Sequence, residues 1–124
     1  MDKEVSNWLR QAIYDLDTAK DNFNIKRYSY AIFLSEQSVE KALKSLFLKE
    51  FGEIPRVHDL TVLAKKLKVP DKLYGHCEDL TNVYMETRYP DVSEVIPAEK
   101  FTRDEANSFI SKAEEVLEWI KKKF

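Results

Sequence analysis

Arg88 is the residue of this 124-residue chain whose type and setting most need a chemical explanation. It stands at the end of a stripe, Leu73, Cys77, Leu80, Tyr84, that repeats with helical spacing, and Tyr89-Pro90-Asp91 follow it directly. A guanidinium keeps its proton, so on a core-facing line it needs a carboxylate partner or a cleft. Glu36 and Glu40, four apart on one face of an otherwise apolar segment, are the nearest acids in the pattern. Two readings stay open. A structural Arg–Glu ion pair is favoured, and a bidentate phosphate contact at a cleft mouth is the alternative.

The other candidates for chemistry are few. Glu36 and Glu40 lack the Glu-x-x-His partners of a di-metal bundle, and Lys41 and Lys44 lie on the same helix to neutralise them. No metal site is expected. His76 and Cys77 are neighbours on a helix and point about 100° apart, poor geometry for a shared zinc. Cys77 reads as a small core residue. His58 precedes a helix start, which it either caps or flanks. No third residue orients a Cys–His pair, so neither is expected to be catalytic. Gly-rich phosphate loops, GxSxG and nucleic-acid motifs of fixed spacing are absent.

The elements that must carry these residues are helical. Two glycines and four prolines are too little punctuation for a sandwich or barrel. Val5, Leu9, Ala12, Leu16, Ala19 and Phe23 form one stripe in a first helix. A second helix runs from about 27 to 51, apolar around both ends and polar from Ser35 to Lys41, so it should be central. Gly52 and Pro55 end it. A short helix follows, capped by Asp59 or His58, with Leu60, Leu63, Ala64 and Leu67 inward and Pro70 as its stop. Asp71 is expected to cap the fourth helix, which must end at Tyr89 because Pro90 follows. A loop from 90 to 101 leads to a last helix opened by the capping box Thr102-Arg103-Asp104-Glu105, with Ala106, Phe109, Ala113, Val116 and Ile120 inward. The expected fold is all-α: an up-and-down bundle of four long helices plus one short helix, in a single domain over 1–124.

Charge narrows the partners. Lys and Arg number 20 against 22 Asp and Glu, a net of −2, which excludes nucleic-acid binding by bulk charge alone. The charge is uneven: residues 41–72 hold eight basic and four acidic side chains, and residues 73–120 hold four basic and eleven acidic. Such asymmetry suits an anionic partner or complementary faces of a dimer. The single cysteine excludes an intrachain disulfide and fits a reducing compartment. With no apolar leader or membrane-length segment in the sequence, the expectation is a cytoplasmic protein without membrane contact.

Several strings together resemble one family. These are Trp8-Leu9-Arg10-Gln11-Ala12 with Asp15-Leu16 and Ala19, then Tyr30-Ala31, Gln37-Ser38-Val39-Glu40-Lys41-Ala42-Leu43-Lys44, His58-Asp59-Leu60 and Arg88-Tyr89-Pro90-Asp91. They resemble the HEPN family across nearly the whole chain. The resemblance implies an up-and-down α bundle, a homodimer, and binding of a nucleotide, RNA or a minimal nucleotidyltransferase partner in a toxin–antitoxin-like or stress module. It also implies a cleft at Arg88 with Tyr84, Tyr89 and Asp91 around it, and Glu36, Glu40 and Lys41 as its floor, with His58 as a further cleft residue. Active members are metal-independent ribonucleases with an arginine, four to six residues, then histidine. Here Ser93, Glu94 and Val95 occupy those positions after Arg88. The imidazole that would move a proton at the ribose 2′-hydroxyl is missing, so ribonuclease activity does not carry over. No catalytic residue and no cofactor are expected. A ribonuclease using His58 or His76, or a structural helical adaptor, are the alternatives.

Overall fold

The computed structural model describes residues 2–124. Asp2 opens α1 (Lys3–Asn24), its carboxylate accepting the Glu4 and Val5 N–H groups at 2.8 and 3.3 Å. Lys26 takes a left-handed φ of 65°, which lets the chain reverse within three residues into α2 (Tyr28–Phe51). Small residues then draw the two helices together. Ser38 Oγ donates to the Ala12 carbonyl at 2.6 Å and Ser45 Oγ to the Val5 carbonyl at 2.8 Å. Those pairings run in opposite senses along the chain, so α1 and α2 form an antiparallel hairpin. An ion pair from Lys41 of α2 to the buried Asp15 of α1 locks it.

Gly52 ends α2 in the left-handed region, φ 77°, where a side chain would be strained. Asp59, not His58, caps α3 (Leu60–Lys66) by accepting the Thr61 N–H at 2.9 Å. Its first residue is tied across to the next helix by the Leu60 N–H, which donates to Thr81 Oγ1 at 3.0 Å. The fourth helix, α4 (Asp71–Arg88), starts one residue earlier than expected: Pro70 is the cap position and Asp71 the first helical residue, placed to favour the dipole. Thr102 and Glu105 form the expected capping box of α6 (Arg103–Lys121), both reciprocal bonds being present.

The expected loop from 90 to 101 contains a further short helix, α5 (Pro97–Lys100), so among the described residues the bundle has four long helices and two short ones. Proline at its first position gives the reason: Pro97 has no N–H to leave unsatisfied there and its φ is already helical. The central place of α2 is as expected, since it packs against each of the other five helices. The core comprises Leu43 and Leu46 of α2, Leu60 and Leu63 of α3, Leu80 of α4 and Leu117 and Ile120 of α6, all essentially without exposure. On α6, Ile110 and Leu117 join the inward face while Phe109 is only half-buried. No helix among the described residues is long and apolar enough to cross a membrane.

The Lys41–Asp15 pair is expected to govern hairpin stability. Lys41→Met leaves the Asp15 carboxylate buried without its cation and should cost about 3 kcal/mol in urea unfolding. Adding Asp15→Asn should recover a good part of that loss, and a double-mutant cycle showing strictly additive effects would rule out the coupling.

Candidate functional site

The stripe that carried Arg88 inward in the sequence turns away in the structure. Cys77, Leu80, Val83 and Thr87 are the buried residues of α4, while Tyr84 is half-buried and Arg88 is exposed. Steps of four overshoot a true helical face by about 40° each, so two in succession, Leu80 to Tyr84 to Arg88, walk out of the core. The step of three from Leu80 to Val83 corrects the drift and keeps contact with Ile32 and Phe101.

Arg88 is the last helical residue because Tyr89, before Pro90, takes an extended conformation with φ −120° and ψ 126°. Its guanidinium carbon lies 5.1, 4.9 and 5.4 Å from the ring centroids of Phe33, Tyr84 and Tyr89. It also donates to the Tyr84 hydroxyl. The favoured ion pair to Glu36 or Glu40 is not formed, and among the described residues Arg88 pairs with no carboxylate. The aromatic side chains hold the cation in place without neutralising it. Beside it opens a cavity of about 400 Å³. Ser29, Tyr30 and Phe33 of α2 form one wall, Thr87, Arg88 and Pro90 the second, and Ile96, Pro97 and Ala98 the third.

The residues expected as the floor, and two others expected in the cleft, lie elsewhere. Glu36, Glu40, Lys41, His58 and Asp91 are not among the cavity's lining. Asp91 is exposed on the following turn. Glu40 is held by Lys44 Nζ at 3.0 Å and by His58 Nδ1 at 3.1 Å, with its other oxygen buried and without a hydrogen-bond partner. Lys41 faces α1 and its Asp15. Glu36 is 1% exposed and accepts one hydrogen bond, from Gln37 Nε2 at 3.0 Å. Burial pushes its carboxyl up to about 8, with the Glu40 charge adding to the rise and Gln37, Arg88 and Lys41 opposing it. At neutral pH Glu36 is therefore largely uncharged.

The sequence reading missed Ser29, Tyr30, Phe33, Thr87, Ile96 and Pro97. One signal was available for two of them: Ser29 and Phe33 sit four apart on α2 and share a side of that helix. The Pro97 wall depends on α5, which lies in the stretch expected as loop. The other histidine, His76, binds Glu115 across α4 and α6 at 2.7 Å, and Lys72 joins the same carboxylate at 3.1 Å. Lys72 first, then His76, hold the Glu115 carboxyl below its usual range. Cys77 is fully buried, and desolvation lifts its thiol to about 12, so it is inert as a nucleophile. Among the described residues no group of three or more His, Cys, Asp or Glu side chains is arranged to hold a metal.

The fold and the cleft define an all-α bundle with an arginine held open among aromatics between its second and fourth helices. The HEPN domain model matches residues 5–123, and the chain belongs to the HEPN domain family. Among similar proteins, MJ1304 of Methanocaldococcus jannaschii, named as a candidate toxin, is 29% identical over 128 residues, spanning 92% of this chain and 84% of its own. The crystal structure of TT1696 from Thermus thermophilus matches with a TM-score of 0.91 at 30% identity, covering 99% of this chain and 100% of that one. ST0689, an archaeal HEPN homologue, matches at 0.84 and 34% identity, with 99% and 98% covered. A HEPN domain protein of Thermotoga maritima, TM0613, shares the fold at 0.75 and 22% identity, with 94% and 95% covered.

Glu36 makes stability depend on pH in a definite direction. Its carboxyl titrates near 4.5 unfolded and near 8 folded, so the folded state holds the proton more tightly. The chain is then at no disadvantage from this group below about pH 4.5 and loses stability as pH rises towards 8. Glu36→Gln should remove that slope and raise stability by on the order of 4 kcal/mol at pH 8. Parallel unfolding curves for the two proteins at pH 5 and pH 8 would contradict it.

Proposed function

We propose that this HEPN domain binds the phosphate of a nucleotide or of RNA at the Arg88 cleft, as one half of a toxin–antitoxin-like module. The observation that carries the reading is the guanidinium itself, exposed, without a carboxylate, and stacked among Phe33, Tyr84 and Tyr89 beside an apolar cavity. Arginine in that state offers a planar fork of donors to phosphate oxygens. The rings and the Tyr30, Ile96 and Pro97 walls suit the flat face of a base. The candidate-toxin name of the Methanocaldococcus jannaschii relative supports the module. Its other half would be a minimal nucleotidyltransferase, and the domain itself would act as a homodimer. The positions after Arg88 where the family's motif puts its His hold Ser93, Glu94 and Val95, so binding rather than cleavage is the activity proposed.

One observation favours a second reading. His58 is mostly exposed and is oriented through Nδ1 by Glu40, as a general base would be. A ribonuclease built on that pair would cleave RNA without divalent metal.

Titration of ATP and short RNAs by calorimetry is the test. Wild-type protein should bind, and Arg88→Ala should weaken binding roughly tenfold or more, the worth of a charge-assisted phosphate contact. Equal affinity for the two proteins, or no binding by either, would sink the cleft assignment. RNA that stays intact at high protein concentration in EDTA removes the ribonuclease reading, and cleavage lost in His58→Ala would establish it. An adjacent reading frame encoding a small nucleotidyltransferase, with co-purification of its product, checks the partner.

A further inference from the structure

Apart from a cavity of about 550 Å³ at the far end of the hairpin, by Val5, Leu48 and Phe124, two cavities besides the cleft open along α1 and α2. On α2, Tyr30, Phe33, Gln37, Lys41 and Lys44 follow one another at steps of three, four, four and three, a single helical stripe. Its first two residues line the Arg88 cavity. Its fourth, Lys41, lines a cavity of about 430 Å³ together with Glu4, Asn7, Trp8 and Gln11 of α1. Asn7 and Gln11 also line a third cavity, of about 340 Å³, with Arg10 and Tyr14. The second and third cavities thus share part of their lining on α1.

Each of the three combines an aromatic ring with a cation: Phe33 with Arg88, Trp8 with Lys41, Tyr14 with Arg10. Asn7 and Gln11 line the second and third cavities, and Gln37 lies between Phe33 and Lys41 on α2. The Gln11 and Gln37 amides each donate one bond inward, to Asp15 and Glu36, which leaves their carbonyl oxygens and a second N–H for base edges. Tyr14 is 67% exposed, and Arg10 forms no ion pair among the described residues. Glu4 is the one acid on the lining of the second and third cavities. Asp15 spends its charge on Lys41, so the unneutralised cations stand at the two ends of the track. Rings that stack on any base, alternating with cations that follow a backbone, are the pattern of single-strand recognition.

We propose that a single-stranded RNA segment lies along this track, from the Arg88 cleft past Trp8 and Lys41 to Arg10 and Tyr14. The inference rests on the phosphate-binding reading of Arg88 and extends it from one nucleotide to several. Phe33 and Lys41 are eight residues apart on α2, about 12 Å. That distance corresponds to three or four stacked nucleotides at about 3.4 Å each. A mononucleotide would fill only the first cavity.

The test is a length series. Adenylate ribo-oligomers of one, two, four and eight nucleotides are titrated into the full chain carrying Trp119→Phe, which leaves Trp8 as the remaining indole. Affinity should rise about tenfold or more from the mononucleotide to the octanucleotide, with quenching of Trp8 by the longer oligomers. Arg10→Gln and Tyr14→Ala, both at exposed positions, should abolish that rise and leave mononucleotide affinity unchanged. A mononucleotide bound through Arg88 with no gain from length overturns the track and leaves the cleft reading intact. A gain from length that survives both α1 substitutions also overturns it, because the strand then runs elsewhere. Failure of every length to bind overturns both readings. If the α1 substitutions convert a dimer to a monomer in sedimentation and leave RNA affinity untouched, a second copy of the chain covers this face and the track is wrong.

Discussion

A central helix that carries two carboxylates must dispose of their charge, and the arrangement of this bundle follows from how α2 does so. Leu43 and Leu46 fix α2 in the middle of the core, so Glu36 and Glu40 cannot reach open water from it. An isolated buried carboxylate is prohibitively costly, and two outcomes are open to it: pairing or keeping its proton. The chain uses one for each. Glu40 pairs with Lys44 and His58, and Glu36 remains largely protonated at neutral pH.

Those two solutions leave the cleft its cation. With Glu40 occupied and Glu36 uncharged, no strong attraction draws Arg88 inwards. The guanidinium is instead caught by Phe33, Tyr84 and Tyr89 at the end of α4. A charged Glu36 one turn along α2 from Phe33 would compete for it. The polarity of the core and the openness of the surface site are thus parts of one electrostatic arrangement. Lys41 takes part from the other side, since its attachment to Asp15 keeps α1 close and removes a nearby cation that would otherwise favour ionised Glu36 more strongly.

Much of this was legible in the residues. The four long helices, α3 and their order were readable because the apolar stripes are long and their boundaries are chemically plain: Gly52, Pro70 and Tyr89 before Pro90 as stops, Thr102 with Glu105 as a start. The family was readable from short strings that need no three-dimensional information. What could not be read was which neighbour each charged group would choose. Arg88 had two acids within reach in the pattern and joined neither, because a drift of about 40° per four-residue step moved it off the face they share. Lys41 had Glu36 and Glu40 on its own helix and chose Asp15 of α1, twenty-six residues away. The cleft wall at Ile96 and Pro97 rests on a four-residue helix whose pattern is too short to register as periodic. Side-chain partnership across helices depends on rotation about each helix axis, and a period fixes that rotation only to within tens of degrees.

The turn at Lys26 bears on how the molecule comes to be. It joins α1 to α2 in three residues, and the hairpin it makes contains the Ser38, Ser45 and Lys41 bonds. Contacts that close after so short a connection carry little loop-closure cost. A chain emerging residue by residue can dock these two helices before α3 is complete. The surface of α2 against which α4 and α6 later assemble, and with it the first wall of the cleft, is then available as a template while the remainder of the protein is still unfolded.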